Sequence, residues 1–144
     1  IIKENIKLLS EIDKSININL INVKNEIYFK CDKEQIGRVF FNLIKNSIES
    51  IQQKSENLTN FDKKIAIEIF DDNDHIKIAF VDNGIGFNKT NNNIKEIVNP
   101  YFTTKKNGTG LGLSIVNKII NDHNGELSFF SISNGAKIEL NFKK

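Results

Sequence analysis

The apolar positions of this chain change period several times, and each change marks an element. From Ile1 to Asp13 they fall at Ile2, Ile6, Leu9 and Ile12, close to helical spacing. Ile16, Ile18 and Leu20 then alternate with Asn17 and Asn19, as in a half-buried strand. Ile27 to Cys31 reads as a second, short strand. Asp32 can cap the next helix, whose apolar positions are Ile36, Val39, Phe40, Leu43, Ile44, Ile48 and Ile51. That spacing predicts a long helix from about Lys33 to Gln53.

Two alternating segments follow, one carrying Ile65, Ile67 and Ile69 and the other Ile76, Ile78 and Phe80. Asp71–Asp74 between them is turn chemistry, so the pair predicts an antiparallel hairpin. The pattern then breaks from Gly84 to Gly108, a stretch that holds Asn91–Asn93 and the one proline, Pro100. A loop of that length inside a compact domain is usually functional or mobile. Leu111, Ile115, Val116, Ile119 and Ile120 mark a second long helix, which Gly125 can terminate. Leu127–Ile132 and Ala136–Phe142 predict a final hairpin around Asn134 and Gly135. Hairpins and helices segregate rather than alternate, which predicts an α+β two-layer sandwich with a mixed, mostly antiparallel sheet.

Composition narrows the class without changing that picture. A chain of 144 residues and 16.4 kDa is one domain with room for a real core. With 39% hydrophobic and 26% charged residues, and with periodic apolar positions, disorder is not indicated. A net charge of +2 is too small to argue for nucleic acid or membrane contact. One cysteine, Cys31, rules out an internal disulfide and a cysteine-based zinc site, and its apolar neighbours predict a small buried side chain. No apolar run approaches the ~20 residues of a membrane span. The chain has no methionine and begins at Ile1, so it is expected to be a piece of a longer protein.

Three polar clusters interrupt the pattern. Asn42 and Asn46 lie four apart, on one face of the long helix. Taken alone they read as surface positions, but carboxamide oxygens are also suitable Mg²⁺ ligands. Asp82-Asn83-Gly84-Ile85-Gly86 ends an apolar strand. It is either a bend leaving the sheet or a recognition site, in which the carboxylate accepts a hydrogen bond from an exocyclic amine and the glycines let a flat ring approach the backbone. Gly108-Thr109-Gly110-Leu111-Gly112-Leu113 opens a helix, where exposed N–H groups and the helix dipole favour phosphate. A flexible linker looks similar, and the segment has neither the Walker nor the Rossmann order. Lys105 and Lys106 just before it could add point charges for a polyphosphate.

Together these segments resemble a known family. Asn42-Leu-Ile-Lys-Asn46-Ser, Asp82-Asn-Gly84-Ile-Gly86, Pro100-Tyr-Phe102-Thr-Thr-Lys105 and Gly108-Thr-Gly110-Leu-Gly112-Leu-Ser-Ile-Val are similar to the N, G1, F and G2 boxes of sensor histidine kinases. They stand in the family's order and spacing, and the resemblance covers essentially the whole chain. The lid motif and Asp122-His-Asn-Gly-Glu126 look closest to the nitrogen-regulation, NtrY-like sensors. The resemblance implies the Bergerat ATP-binding fold, with ATP and Mg²⁺ as cofactors. It makes Asn46 the metal ligand and Asn42 its neighbour near the phosphates. Asp82 would hold the adenine amine in a pocket shaped by Gly84, Ile85 and Gly86. A lid from about Phe87 to Asn107 would be anchored by Phe102, with Thr104 and Lys105 toward the phosphates. Backbone N–H groups of Gly108, Gly110, Leu111 and Gly112 would bind phosphate oxygens, with Thr109 and Leu113 in the same segment. Asn42, Asn46 and Lys105 would form the catalytic set. Where the family often has Gly-Thr in its last box, this chain has Gly135-Ala136.

Gyrase- and MutL-type relatives that hydrolyse ATP carry a glutamate base four residues before the metal asparagine, and so do the anti-sigma serine kinases; in Hsp90 types the acid sits four residues earlier. Here the position four before Asn46 is Asn42, an amide that cannot abstract a proton. Transfer to histidine, a good nucleophile by itself, is therefore favoured over an anti-sigma-type serine kinase or a non-catalytic nucleotide-binding module of the same fold. Glu49 reads as a surface or salt-bridge residue. His75 in a hairpin turn and His123 near a helix end read as solvated or capping residues, not phosphoacceptors. The resemblance places the acceptor histidine on an upstream dimerisation domain, with a response regulator as the next partner. It further implies a homodimeric, membrane-anchored parent with this domain in the cytoplasm, the domain alone being monomeric and unable to phosphorylate itself.

Overall fold

The computed structural model describes residues 1–21, 27–58, 60–87, 97–101 and 109–144. Its elements in chain order are α1 (Ile2–Leu9), β1 (Asn17–Ile21), α2 (Lys33–Ser55), β2 (Lys64–Asp71), β3 (His75–Asp82), α3 (Gly112–Asp122), β4 (Gly125–Ile132) and β5 (Gly135–Lys143). The strands form one sheet in the order β1-β2-β3-β5-β4. β1 runs parallel to β2, and the other neighbours are antiparallel. The helices cover one face, so the α+β two-layer expectation holds. The parallel β1–β2 pair is the exception to the hairpin pattern, because the chain crosses through α2 between them.

α2 starts where its cap allows. Asp32 is extended (φ −76°, ψ 114°), and its carboxylate accepts from the N–H groups of Glu34 and Gln35 at 2.9 and 3.0 Å. The helix buries Ile36, Val39, Phe40, Leu43, Ile44, Ile48 and Ile51 against the sheet. Their partners are the inward residues of the strands, Ile65, Ile67, Ile76, Ile78, Phe80, Leu140 and Phe142 among them. The Phe40 and Phe80 ring centroids are 5.9 Å apart. α3 adds Val116, Ile119 and Ile120 beside α2.

Two local expectations change. Residues 27–32 form no strand. Ile27, Phe29 and Cys31 do turn toward the core, and Phe29 stacks on Phe142 with centroids 5.0 Å apart. Alternation there records one buried side, not a backbone partner. The Asp32 N–H donates instead to Nε2 of His123, at 3.1 Å. Cys31 is half-buried rather than buried, and burial followed by the neighbouring Asp32 charge pushes its thiol up. The second change is at the end of α3. The left-handed residue is Asn124 (φ 54°), while Gly125 opens β4. A Cβ on Gly125 would lie 2.9 Å from the Phe142 ring, so that glycine serves packing.

His75 is half-exposed with its N–H donating to Asp72 at 2.7 Å, and His123 caps α3 through Nδ1 to the Ile119 carbonyl at 2.8 Å. Both therefore have the structural roles expected of them. Glu49 pairs with Lys45 across one helical turn, at 3.8 Å. No helix among the described residues is long and apolar enough to cross a membrane.

Phe142 is 1% exposed and joins the 27–32 strap, Gly125 and the sheet. Phe142→Ala is expected to lower stability by about 3–5 kcal/mol, read as the urea midpoint. A loss under ~1 kcal/mol would show that this junction does not hold the fold.

Candidate functional site

Among the described residues, two polar or charged side chains are buried, Ser47 and Asp82, at 3% and 6% exposure. They are bonded to each other. Ser47 is on the core side of α2, and its Oγ donates to Asp82 Oδ2 at 3.0 Å. Asp82 ends β3, and its Oδ1 accepts from the Gly84 N–H at 2.9 Å. Burial pushes the Asp82 carboxyl up, and the donors Gly84, Ser47 and Ala136 and the Lys54 charge offset this only in part.

The turn after Asp82 is fitted against α2. The Ile85 N–H donates to Ser50, to Oγ at 3.1 Å and to the carbonyl at 3.3 Å. A Cβ on Gly84 would lie 2.2 Å from Ser50 Oγ. Gly86 faces the Gly135 carbonyl, where a Cβ would come within 2.6 Å. At both glycines the place of a Cβ is thus taken by protein, which lets Ser50 and Gly135 pack close. Gly135 has φ +126°, which side-chain-bearing residues rarely adopt, and a Cβ there would meet the Asp82 carbonyl. Ile85 is 49% exposed beside this turn. Asn83 ties β3 back to β2, accepting the Lys64 N–H at 2.9 Å and donating to the Asp62 carbonyl.

The other end of the site lies along the same helix. Asn42 and Asn46 are half-buried on α2. The Asn42 amide N donates to the Arg38 carbonyl at 2.8 Å, and its Oδ1 would stand 3.2 Å from a Cβ on Gly112. The start of α3 is therefore set against Asn42. Leu111 at its N-cap makes no side-chain cap bond, and the first turn holds no acidic residue. The helix itself therefore supplies no counter-charge to the positive end of its dipole. Thr109 Oγ1 accepts the Leu111 N–H at 3.4 Å, and Leu113 packs at the core margin. Gly110 (φ +67°) accepts the Tyr101 N–H at 3.0 Å, and a Cβ on it would strike the Tyr101 backbone at 2.4 Å.

Asp82, Gly84, Ile85 and Gly112 thus meet α2, which carries Asn42 and Asn46; Gly86 lies against Gly135, and Thr109, Gly110, Leu111 and Leu113 stand at the start of α3. Phe102, Thr104, Lys105, Lys106 and Gly108, with most of the expected lid, lie outside the described residues. Reading the sequence alone missed the roles of Ser47, Ser50 and Lys54. A signal for all three exists: they are polar positions at helical spacing (47, 50, 54) on a helix otherwise defined by its apolar face.

No group of three or more His, Cys, Asp or Glu that could hold a metal is found among the described residues. A cation here would need oxygen from amides and from a bound phosphate. The Asn42–Asn46 face fits such a donor set, because hard cations accept carboxamide oxygen.

Comparison with known proteins assigns the family and the fold. The chain belongs to the histidine kinase-, DNA gyrase B- and HSP90-like ATPase family, whose model matches residues 31–144. It is 37% identical over 112 residues to sporulation kinase E of Bacillus subtilis (strain 168), covering 78% of this chain and 14% of that protein. It is 33% identical over 143 residues to a putative NtrY-like sensor histidine kinase of Rickettsia felis, covering 95% of this chain and 22% of the relative. The catalytic domain of histidine kinase ThkA, in a nucleotide-free form, superposes with a TM-score of 0.82 at 29% identity, covering 99% of this chain and 90% of that one. The chain therefore has the fold of a histidine kinase catalytic domain and spans about a fifth or less of the curated relatives' length.

A raised carboxyl holds its proton in the folded state at pH values where the unfolded chain has lost it. Stability then falls as pH rises through that interval, and ionised Asp82 is a net cost at neutral pH. Asp82→Asn keeps an acceptor for the Gly84 N–H and can donate to Ser47. It is expected to raise the thermal midpoint at pH 7, with the gain vanishing in acid below the ordinary aspartate range. A loss of stability at pH 7 would contradict the burial cost.

Proposed function

We propose that this chain is the Mg·ATP-binding, phosphoryl-donating domain of a two-component sensor histidine kinase. The observation that carries the reading is the buried Asp82–Ser47 pair, set on the same helix as the Asn42–Gly112 contact. A base-recognising carboxylate and a phosphate-attracting helix start are then about 7.5 Å apart along the α2 axis, counted from Asn42 to Ser47.

Asp82, kept ionised, accepts from the adenine amine with the oxygen capacity that Ser47 and Gly84 leave free. Gly84, Ile85 and Gly86 shape that end. Gly110, Leu111 and Gly112 offer N–H groups to phosphate oxygens at the start of α3. Asn46 would hold Mg²⁺, with Asn42 in support, and the ion would neutralise charge on the phosphates. Phe102, Thr104, Lys105 and Gly108 complete the phosphate side through the lid. Asn42 supplies no general base, so the acceptor must be nucleophilic without one; this disfavours water and serine. A histidine on a separate dimerisation domain meets that condition. Its imidazole nitrogen attacks the γ-phosphorus, the bond to the β–γ bridging oxygen breaks, and ADP leaves. A response-regulator aspartate would receive the phosphoryl group next, in a homodimeric, membrane-anchored parent whose cytoplasmic part includes this domain.

The test is to mix the chain with the dimerisation segment and γ-labelled ATP. Acid-labile, alkali-stable label on that segment is expected, and acid-stable label would overturn histidine transfer. Asp82→Asn is expected to abolish ATP binding by calorimetry. In the wild type, affinity is expected to weaken on acidification as the raised carboxyl of Asp82 protonates. Asn46→Ala is expected to remove the Mg²⁺-dependent part of ATP affinity; an unchanged magnesium dependence would refute the ligand role.

A further inference from the structure

The last turn of α2 carries a cation that the nucleotide-site residues above do not include. Lys54 follows Ser47 and Ser50 at helical spacing. Its Nζ donates to the Asn83 carbonyl at 2.7 Å, in the turn between Asp82 and Gly84. It also donates to Asn134 Oδ1, in the turn between β4 and β5, and lies 5.3 Å from the Phe61 ring centroid. One ammonium therefore fastens two turns to one helix. Those turns meet at the pocket end: Gly135, next to Asn134, backs onto the Asp82 carbonyl and onto Gly86.

Three polar residues of α2 thus act in sequence on one segment. Ser47 holds the Asp82 side chain, Ser50 holds Ile85, and Lys54 holds Asn83. Of these only Lys54 carries charge. The groups bonded to the Asp82 carboxylate, Ser47, Gly84 and Ala136, are neutral donors, and Lys54 acts on it through charge alone.

We infer that Lys54 is a positioning residue for base recognition: it locks the 82–86 turn and the 133–135 turn to α2, so that the Asp82 carboxylate is aimed at an exocyclic amine. The inference rests on the proposed adenine role of Asp82. Lys54 does not touch the base; it acts through Asn83 and through its charge. Removing it frees both turns and lets the carboxylate shift or take a proton. Affinity then falls for a base that donates to Asp82 and is unchanged for a base that does not.

The experiment compares ATP with purine riboside triphosphate, which has hydrogen in place of the amine and no N–H on its six-membered ring. Wild type is expected to prefer ATP. Lys54→Met keeps the stem and removes the charge and donors. It is expected to weaken ATP binding about tenfold, the size of one charge-assisted hydrogen bond, and to leave purine riboside triphosphate within about twofold. Lys54→Gln, which keeps a neutral donor, is expected to fall between Met and wild type and is the variant to read if Lys54→Met does not fold. An equal loss for both nucleotides would show a general structural role and overturn the inference, as would an unchanged preference. Asp82→Asn run in parallel separates the two layers. If that variant keeps the ATP preference, the adenine role of Asp82 fails; if it loses the preference while the Lys54 variants keep it, only the positioning role fails.

Discussion

Asp82 is a carboxylate taken out of water at the end of a strand, and much of the surrounding structure follows from that choice. Burying it is unfavourable unless its oxygens find donors. Ser47 supplies one from the helix and Gly84 another from the turn. To bring those donors in, the turn must lie flat on α2, which demands a residue without Cβ at position 84. The neighbouring hairpin must then close over the strand end, which demands glycine at 135. Lys54 adds a positive charge at the edge of the same cluster. The balance still leaves the carboxyl pushed up, so the position is held at some expense of stability. A group of that kind is most simply explained by an unpaired donor on a ligand.

α2 is the element that organises the rest. One of its sides is apolar and anchors the sheet, while Asn42, Ser47, Ser50 and Lys54 meet Gly112, Asp82, Ile85 and Asn83. Strand ends and the start of α3 are all registered against this one rod. Spacing between the two ends of the site is therefore set by helix geometry, which is stiff, and not by loop conformation. Such a layout leaves loops free to differ in length without disturbing the relation between Asp82 and the α3 start.

Most of the fold was legible in the sequence because its elements are amphipathic. Alternation at 65–69 and 76–80, and the 3.6-residue pattern from Ile36 to Ile51, each identify one buried face. Three features escaped that logic. Residues 27–32 alternate but find no strand partner, since side-chain periodicity reports burial and says nothing of backbone pairing. The parallel β1–β2 contact depends on a crossover that no local signal records. Asn124, not Gly125, takes the left-handed turn after α3, because Gly125 is needed where Phe142 packs.

The chain's own order of residues determined the helix cap at Asp32, the hairpins, the apolar faces and the polar segments at 42–46, 82–86 and 108–113. These depend on near neighbours, so they can be read along one dimension. Tertiary structure alone decided that Ser47 faces Asp82 across 35 positions, that Asn42 meets Gly112, and that Lys54 joins two turns distant in sequence. Serine and lysine on a helix are usually solvated, and nothing local marks the ones that are not. What distinguishes them is the strand end packed against them, which exists only once the sheet has closed on the helix.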